Sequence, residues 1–494
     1  MQEEQGKLPK GMTQWGPWKR WRRYRNIRND DLSFLRDQDS EENARGRLPE
    51  DESVALPAVW VAELYTPSTV NSLLKGVRNL NWEHGKTRSD SLEKWMNEIR
   101  EGRQAGWKSL GVVSPAEAAH FMSERTASLP PGARAALPIL MSITPSITAL
   151  IIGFIFDDHV SSSLESSLRA EFETITRKDP LFRSWHVIRY VLTGCSDRLG
   201  HSIYSPDLLR RDAVKARLNE VEGTCVEWVQ KNLPGTFSSW PGSRNPTAVL
   251  LLTDKIKPMS EKARSVRALE GLALDRDYDA WESDEWPDAK LAFPRGWGDE
   301  SRRLTFACRR SDAVPKKPYY HDPESNWTIA QRADSLIRGF ISRWAITCLL
   351  DTYHEMLSAW RDQIAREGGY RTVRDLKDFR ALARTTLYDI GICTEEIVEF
   401  SQKKAGYRFN VIEFSRVRYT PENRRDLVAN LRSSQKSRAR QVQREASLLQ
   451  STLSTSNQLS QTISSIRIQR VVVGLSIVSI GLAIWIGFIT LNAT

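Results

Sequence analysis

The end of the chain constrains it more than any other stretch. In "RIQRVVVGLSIVSIGLAIWIGFITLNAT" (467–494) no charge follows Arg470, and Val471–Leu491 is a run of 21 nearly continuous apolar positions. As a helix this run measures about 31 Å, which matches a hydrocarbon core of about 30 Å. Arg467 and Arg470 flank it, with Arg438, Arg440 and Arg444 further upstream. Positive charge favours the cytosolic side, so the pattern predicts one C-terminal transmembrane helix. On this reading residues 1–470 lie in the cytosol, and the chain is a single-pass, tail-anchored protein of the cell membrane.

A second uncharged run, "AALPILMSITPSITALIIGFIF" (135–156), competes for the same role. Its β-branched content and central Thr144-Pro145-Ser146 favour two buried strands joined by a turn, and a second span is the alternative. The following "DDHVSSSLESSLRAEFETI" reads as a helix capped by Asp157 or Asp158. Further strands are expected at "VALPAVWVAELY" (54–65), "WKSLGVVSP" (107–115), "PTAVLLLTDKI" (246–256) and "RRLTFACRR" (302–310). Helices are expected over 68–82 and 90–104. Strands alternating with helices predict an α/β or α+β cytosolic domain over 54–325. Residues 1–53, polar and mixed in charge after residue 28, read as a mobile arm.

From Asn326 the pattern is helical. One amphipathic helix starts at a Ser325 or Asn326 cap and stops at Gly368-Gly369, and a second follows from Thr372, so 326–421 reads as a helical hairpin and connector. Neither proline nor glycine occurs between Pro421 and Gly474. Val428, Leu431, Val442, Leu449, Leu459, Ile463 and Ile466 thread a 3,4-spaced seam there, interrupted by Gln435, Arg438, Glu445, Thr452 and Ser456. Residues 422–470 therefore read as a stalk or coiled-coil helix, about 70 Å long if continuous, that favours a homo-oligomer.

Motifs for chemistry are absent. His354 opens "HEMLS", but Ser358 stands where a zinc-protease helix needs its second histidine. Asp275, Asp277, Asp279, Glu282, Asp284, Glu285 and Asp288 cluster as in a calcium loop, yet Ala280 and Trp286 replace the required Gly and Glu, so a solvated acidic loop is the better reading. His321 is an isolated histidine in "YYHDP". Cys195, Cys225, Cys308, Cys348 and Cys393 form no CxxC pair and read as reduced thiols. No phosphate loop, dinucleotide fingerprint or nucleophile elbow occurs, so no catalytic residue, cofactor or metal ligand is assigned and a non-enzymatic role is favoured.

The one feature that points to a ligand is "WGPWKRWRRYRNIR" (15–28). Trp15, Trp18 and Trp21 interleave with Lys19, Arg20, Arg22, Arg23, Arg25 and Arg28, in a chain of formal net charge +10. Cations neutralise phosphates, and flat aromatics stack on bases or settle at a lipid interface. With an anchor expected at the other end, anionic lipid ranks first, a structural role second and nucleic acid third, with Arg467 and Arg470 as further headgroup contacts.

In the order of its parts, a cytosolic α/β domain, a helical hairpin and a long stalk helix entering the membrane, the chain resembles the CorA-like divalent-cation transporters. The resemblance covers 54–310, 326–403 and 422–491. It implies a membrane oligomer with an ion path. The family's second span and Gly-Met-Asn loop have no counterpart here, the nearest match being Gly11-Met12-Thr13. No pore residue is carried over. The expected function is therefore an oligomeric scaffold, sensor or effector at the membrane's inner face. A CorA-like transporter with a degenerate pore, or a tethered enzyme or nucleic-acid effector, is the alternative.

Overall fold

In the computed structural model the described residues are 16–82, 91–103, 106–118, 125–177, 188, 192, 202–275, 280–293, 302–314, 322–366, 373–416, 425–451, 469, 472–473, 475–476 and 479. They divide into two units. The first comprises Met1–Cys348 with Lys404–Arg432, and the second Leu349–Lys403 with Ser433–Thr494.

The first unit is organised by β1, Val54–Tyr65, in which all twelve positions are buried. A strand covered on both faces reads as an unbroken apolar run, and that is how it was legible. β2 (Trp107–Ser109), β3 (Val113–Ser114) and β4 (Arg125–Thr126) are short. β5 (Ala133–Thr144) and β6 (Ile147–Phe156) form the hairpin expected for the second uncharged run, turning between Thr144 and Ile147. β6 pairs antiparallel with β1, as does β9 (Thr247–Thr253) on the other side. β7 (Ile175–Arg177) and β8 (Ser202–Tyr204) form a separate two-stranded ribbon.

The remaining strands are β10 (Trp281–Glu282), β11 (Lys290–Ala292), β12 (Arg303–Arg309), β13 (Ser415–Arg416) and β14 (Arg425–Asp426). Together they make a twelve-stranded sheet of order β14-β13-β10-β11-β12-β9-β1-β6-β5-β3-β4, with β2 also on β5. Only β9–β12 and β3–β4 pair in parallel, so the sheet is mixed and mainly antiparallel.

Helices cover both faces. α1 is Pro17–Gly46, and α2 (Val70–Asn79), α3 (Leu92–Arg100), α4 (Asp158–Arg169) and α5 (Pro206–Asn232) contribute to one core with Val59, Val61, Ile152, Phe154, Val249 and Leu251. Asp157 caps α4 by accepting from the His159 amide at 3.1 Å. α6, Asn326–Arg366, starts at a Ser325 cap and lays its first half on the opposite face. There Phe340 packs edge-on against Phe306 of β12 and against Phe414. A β-carbon at Gly339 would overlap the Asn410 carbonyl oxygen, so this close approach requires glycine.

The second unit contains the rest of α6, all of α7 (Val373–Gln402) and the larger part of a helix over 427–451. We number the short helix Lys404–Arg408 α8 and the helix 427–451 α9. In the second unit Arg438 pairs with Asp351 at 2.5 Å, and His354 Nδ1 meets Glu445 Oε2 at 2.8 Å. The buried positions of α9 are Leu427, Val428, Leu431, Gln435, Ala439, Val442, Ala446 and Leu449. Compared with the expected seam, burial passes one residue beyond Arg438 and Glu445 to two alanines. Those small residues fill the inward positions while the charged neighbours reach partners at the flank.

Three expectations need correction: the fold ending in one transmembrane helix, the single-pass tail anchor, and the cell-membrane location. Among the described residues no helix is long and apolar enough to cross a membrane. Of Val471–Leu491 the structure describes only 472, 473, 475, 476 and 479; they are helical, with Val472, Val473 and Leu475 exposed. Apolar length is a necessary condition for a span. It is not a sufficient one, since a span must also satisfy every backbone group within the bilayer.

Candidate functional site

The basic strip occupies the first part of α1. Pro17 sits at the first helical position, where its missing N–H costs nothing. Gly16 precedes it without a side-chain cap, and the first turn holds no acidic residue. Cations here oppose the helix dipole, so the N-terminal half carries positive charge that its own backbone does not favour.

The other end of α1 is fastened to the body. Asn43 Nδ2 donates to the Phe172 carbonyl at 2.8 Å, and its Oδ1 accepts from the Phe172 amide at 3.1 Å. Asp39 accepts from the Thr174 amide at 2.7 Å and its hydroxyl at 2.5 Å, while Arg36 Nε donates to the Thr174 carbonyl at 3.4 Å. Arg210, 1% exposed, donates to Asn43 Oδ1 at 2.6 Å and to Asp207 at 3.1 Å. Burial lowers the Arg210 pKa, and Asp207 opposes that.

On the N-terminal half, Trp18 and Trp21 stack with ring centroids 5.4 Å apart and are 72% and 38% exposed. Lys19 and Arg22 are exposed and make no ion pair among the described residues. Arg20, Arg23, Arg25 and Arg28 are positions of the same helix. Trp15, Arg467 and Arg470 lie outside the described residues.

The other sequence candidates resolve into local roles. Glu282 pairs with Lys290, Asp288 stands 3.8 Å from Lys257, and Glu285 accepts from the Glu413 amide at 3.1 Å. Asp277, Asp279, His321 and Cys195 lie outside the described residues. No group of three or more His, Cys, Asp or Glu suited to a metal occurs among the described residues. Cys225, Cys308, Cys348 and Cys393 are buried free thiols. Burial pushes the Cys308 thiol up to about 12 and Cys225 higher still, away from nucleophilic thiolate chemistry.

Among the buried carboxylates that the sequence reading missed, Glu63 and Glu52 each hold a backbone segment. Glu63 on β1 is fully buried. It accepts from the Leu64, Phe237 and Ser238 amides at 3.0, 2.8 and 3.2 Å, from the Ser238 hydroxyl at 2.6 Å and from Asn245 at 3.0 Å. Burial raises its pKa, and these hydrogen bonds pull the other way. With five donors on two oxygens, Glu63 has spent its acceptor capacity on holding the segment after α5. Glu52 does the same for the turn after β9, accepting from the Asp254 and Ile256 amides, each at 2.6 Å. Both carboxylates are structural staples, which leaves the strip on α1 as the candidate site. No family model, curated protein or solved structure matches this chain.

Proposed function

We propose that this protein is a docking scaffold that engages a single-stranded nucleic acid through the N-terminal half of α1. The observation that carries the reading is the stacked, exposed Trp18–Trp21 pair set among cations, on a helix whose far end is fastened to the body. Aromatic planes stack on bases of any sequence, and the surrounding Lys and Arg neutralise the phosphates. Nucleic acid now ranks ahead of lipid for two reasons. The anchor that favoured lipid is corrected above. A helix lying on a bilayer also needs its charges on one face and its apolar groups on the other, whereas the cations of this sequence do not follow the spacing of a single helical face.

The test titrates the full chain against a fluorescent single-stranded oligonucleotide and, separately, against phosphatidylserine vesicles. Combined Trp18→Ala and Trp21→Ala should weaken oligonucleotide binding by about a hundredfold, since each stacked base contributes about 1–3 kcal/mol. Unchanged affinity in that variant rejects the reading. Vesicle binding without oligonucleotide binding assigns the strip to lipid instead.

A further inference from the structure

α9 carries a second set of cations that its own unit leaves unused. Lys436, Arg440 and Arg444 recur at four-residue intervals, so they form one ladder with about 6 Å of rise per step. They lie away from the buried line of Gln435, Ala439, Val442, Ala446 and Leu449; Arg440 and Arg444 are exposed and Lys436 half-buried. No carboxylate pairs with any of the three among the described residues; Arg444 Nε donates to the Arg440 carbonyl at 3.3 Å.

The neighbouring charges are accounted for. Arg438 is paired with Asp351, and Glu445 is shared between His354 and Gln441. Like charges four residues apart on a helix repel, so the ladder works against the helix that displays it unless an anion sits alongside. Between and beyond the cations, exposed Ser433, Ser437, Ser447 and Ser451 add no negative charge to the outer face, which also carries the exposed Leu448. A compact anion would meet one rung. A chain of phosphates can meet all three.

We propose that Lys436, Arg440 and Arg444 form a second interaction surface for the phosphate backbone of a single-stranded nucleic acid. The proposal rests on the proposed function for the class of partner, and it uses residues independent of α1. Three neutralised phosphates on a single strand contribute about 2 to the slope of log affinity against log salt.

The experiment measures that slope for the full chain with a fluorescent single-stranded oligonucleotide. The triple variant K436Q/R440Q/R444Q should lose about 2 in slope. R438Q removes one cation that Asp351 already neutralises, and it should leave the slope nearly unchanged. A triple variant with the wild-type slope overturns the proposal. So does an equal loss per charge in R438Q, which would mark a general effect of net charge. Circular-dichroism melting confirms that these outward substitutions leave the helix folded. The α1 variant separates the two readings. If Trp18→Ala/Trp21→Ala binds normally while the triple variant loses slope, the α1 reading falls and this surface stands. The reverse result leaves α1 and removes the ladder. Loss of vesicle binding alone in the triple variant overturns the nucleic-acid assignment.

Discussion

Glu63→Ala is expected to release the segment 235–245 from the end of β1, at a cost of about 4 kcal/mol. The magnitude follows from what is left behind. Five donors, three of them backbone amides, converge on this one carboxylate, and no acceptor of comparable reach replaces it in alanine. Each buried donor left unpaired costs about 1–3 kcal/mol, and entry of water offsets part of the sum. Gly235 lies so close that a β-carbon there would stand 2.6 Å from Glu63 Cγ, so the segment has little room to repack around another group. Hydrogen exchange is the direct readout. Protection of the Phe237 and Ser238 amides should fall by about a thousandfold, while Ala58–Trp60 amides in the middle of β1 change far less. Glu63→Gln keeps one acceptor oxygen and should lose only part of that protection. Wild-type protection at Phe237 in the alanine variant would show that Glu63 is not what holds the segment.

The same carboxylate shows where sequence reading stops. β1, β9 and β12 were legible because a strand buried on both faces must be apolar along its length, and "VALPAVWVAELY" and "TAVLLLT" meet that condition locally. The hairpin β5–β6 was legible from β-branched residues around Thr144-Pro145-Ser146. α5 was missed, although Ser205 followed by Pro206 at the first helical position was a readable start. Glu63 had no such signal. It is one acid in an apolar run, and most of its partners lie more than 170 residues away.

α1 fails in the opposite sense. Its composition suggested a mobile arm, yet 17–46 is helix, fastened through Asp39 and Asn43 to backbone groups about 130 residues further on. Local propensity could not contain that information. The seam of α9 was legible as a spacing, but its phase depended on which residues face the rest of the unit, and Ala439 and Ala446 took the inward positions. The apolar tail satisfied a length rule, yet among the described residues no helix is long and apolar enough to cross a membrane.

Asp334→Asn should make the folded chain more stable at pH 7, and the gain should vanish near pH 4. Asp334 projects from α6 onto the sheet, where Trp60 Nε1 donates to its Oδ1 at 2.9 Å. Gly153 provides the space, since a β-carbon there would stand 2.7 Å from that indole nitrogen. Burial raises the Asp334 carboxyl, the Trp60 hydrogen bond and the charge of Arg338 oppose it, and the balance stands at about 6. Unfolded, the group returns to its ordinary value of 3.8. Between those values the folded chain holds a proton that the unfolded chain has released, so wild-type stability falls as pH rises through the window. Above about pH 6 the folded state carries a buried carboxylate, and the loss is complete at about 3 kcal/mol. Asparagine keeps an acceptor for Trp60 and does not titrate. The difference between the two chains should therefore open between pH 4 and 6 and stay level above it. Urea unfolding followed by tryptophan fluorescence from pH 4 to 7.5 measures this, and a difference independent of pH would refute it. Arg338 supplies the second handle, with Nη1 3.9 Å from Asp334 Oδ2 and its guanidinium 4.9 Å over the Trp107 ring. Arg338→Met removes the one nearby cation, so the window should widen upward in pH, while Asp334→Asn/Arg338→Met should show no window at all.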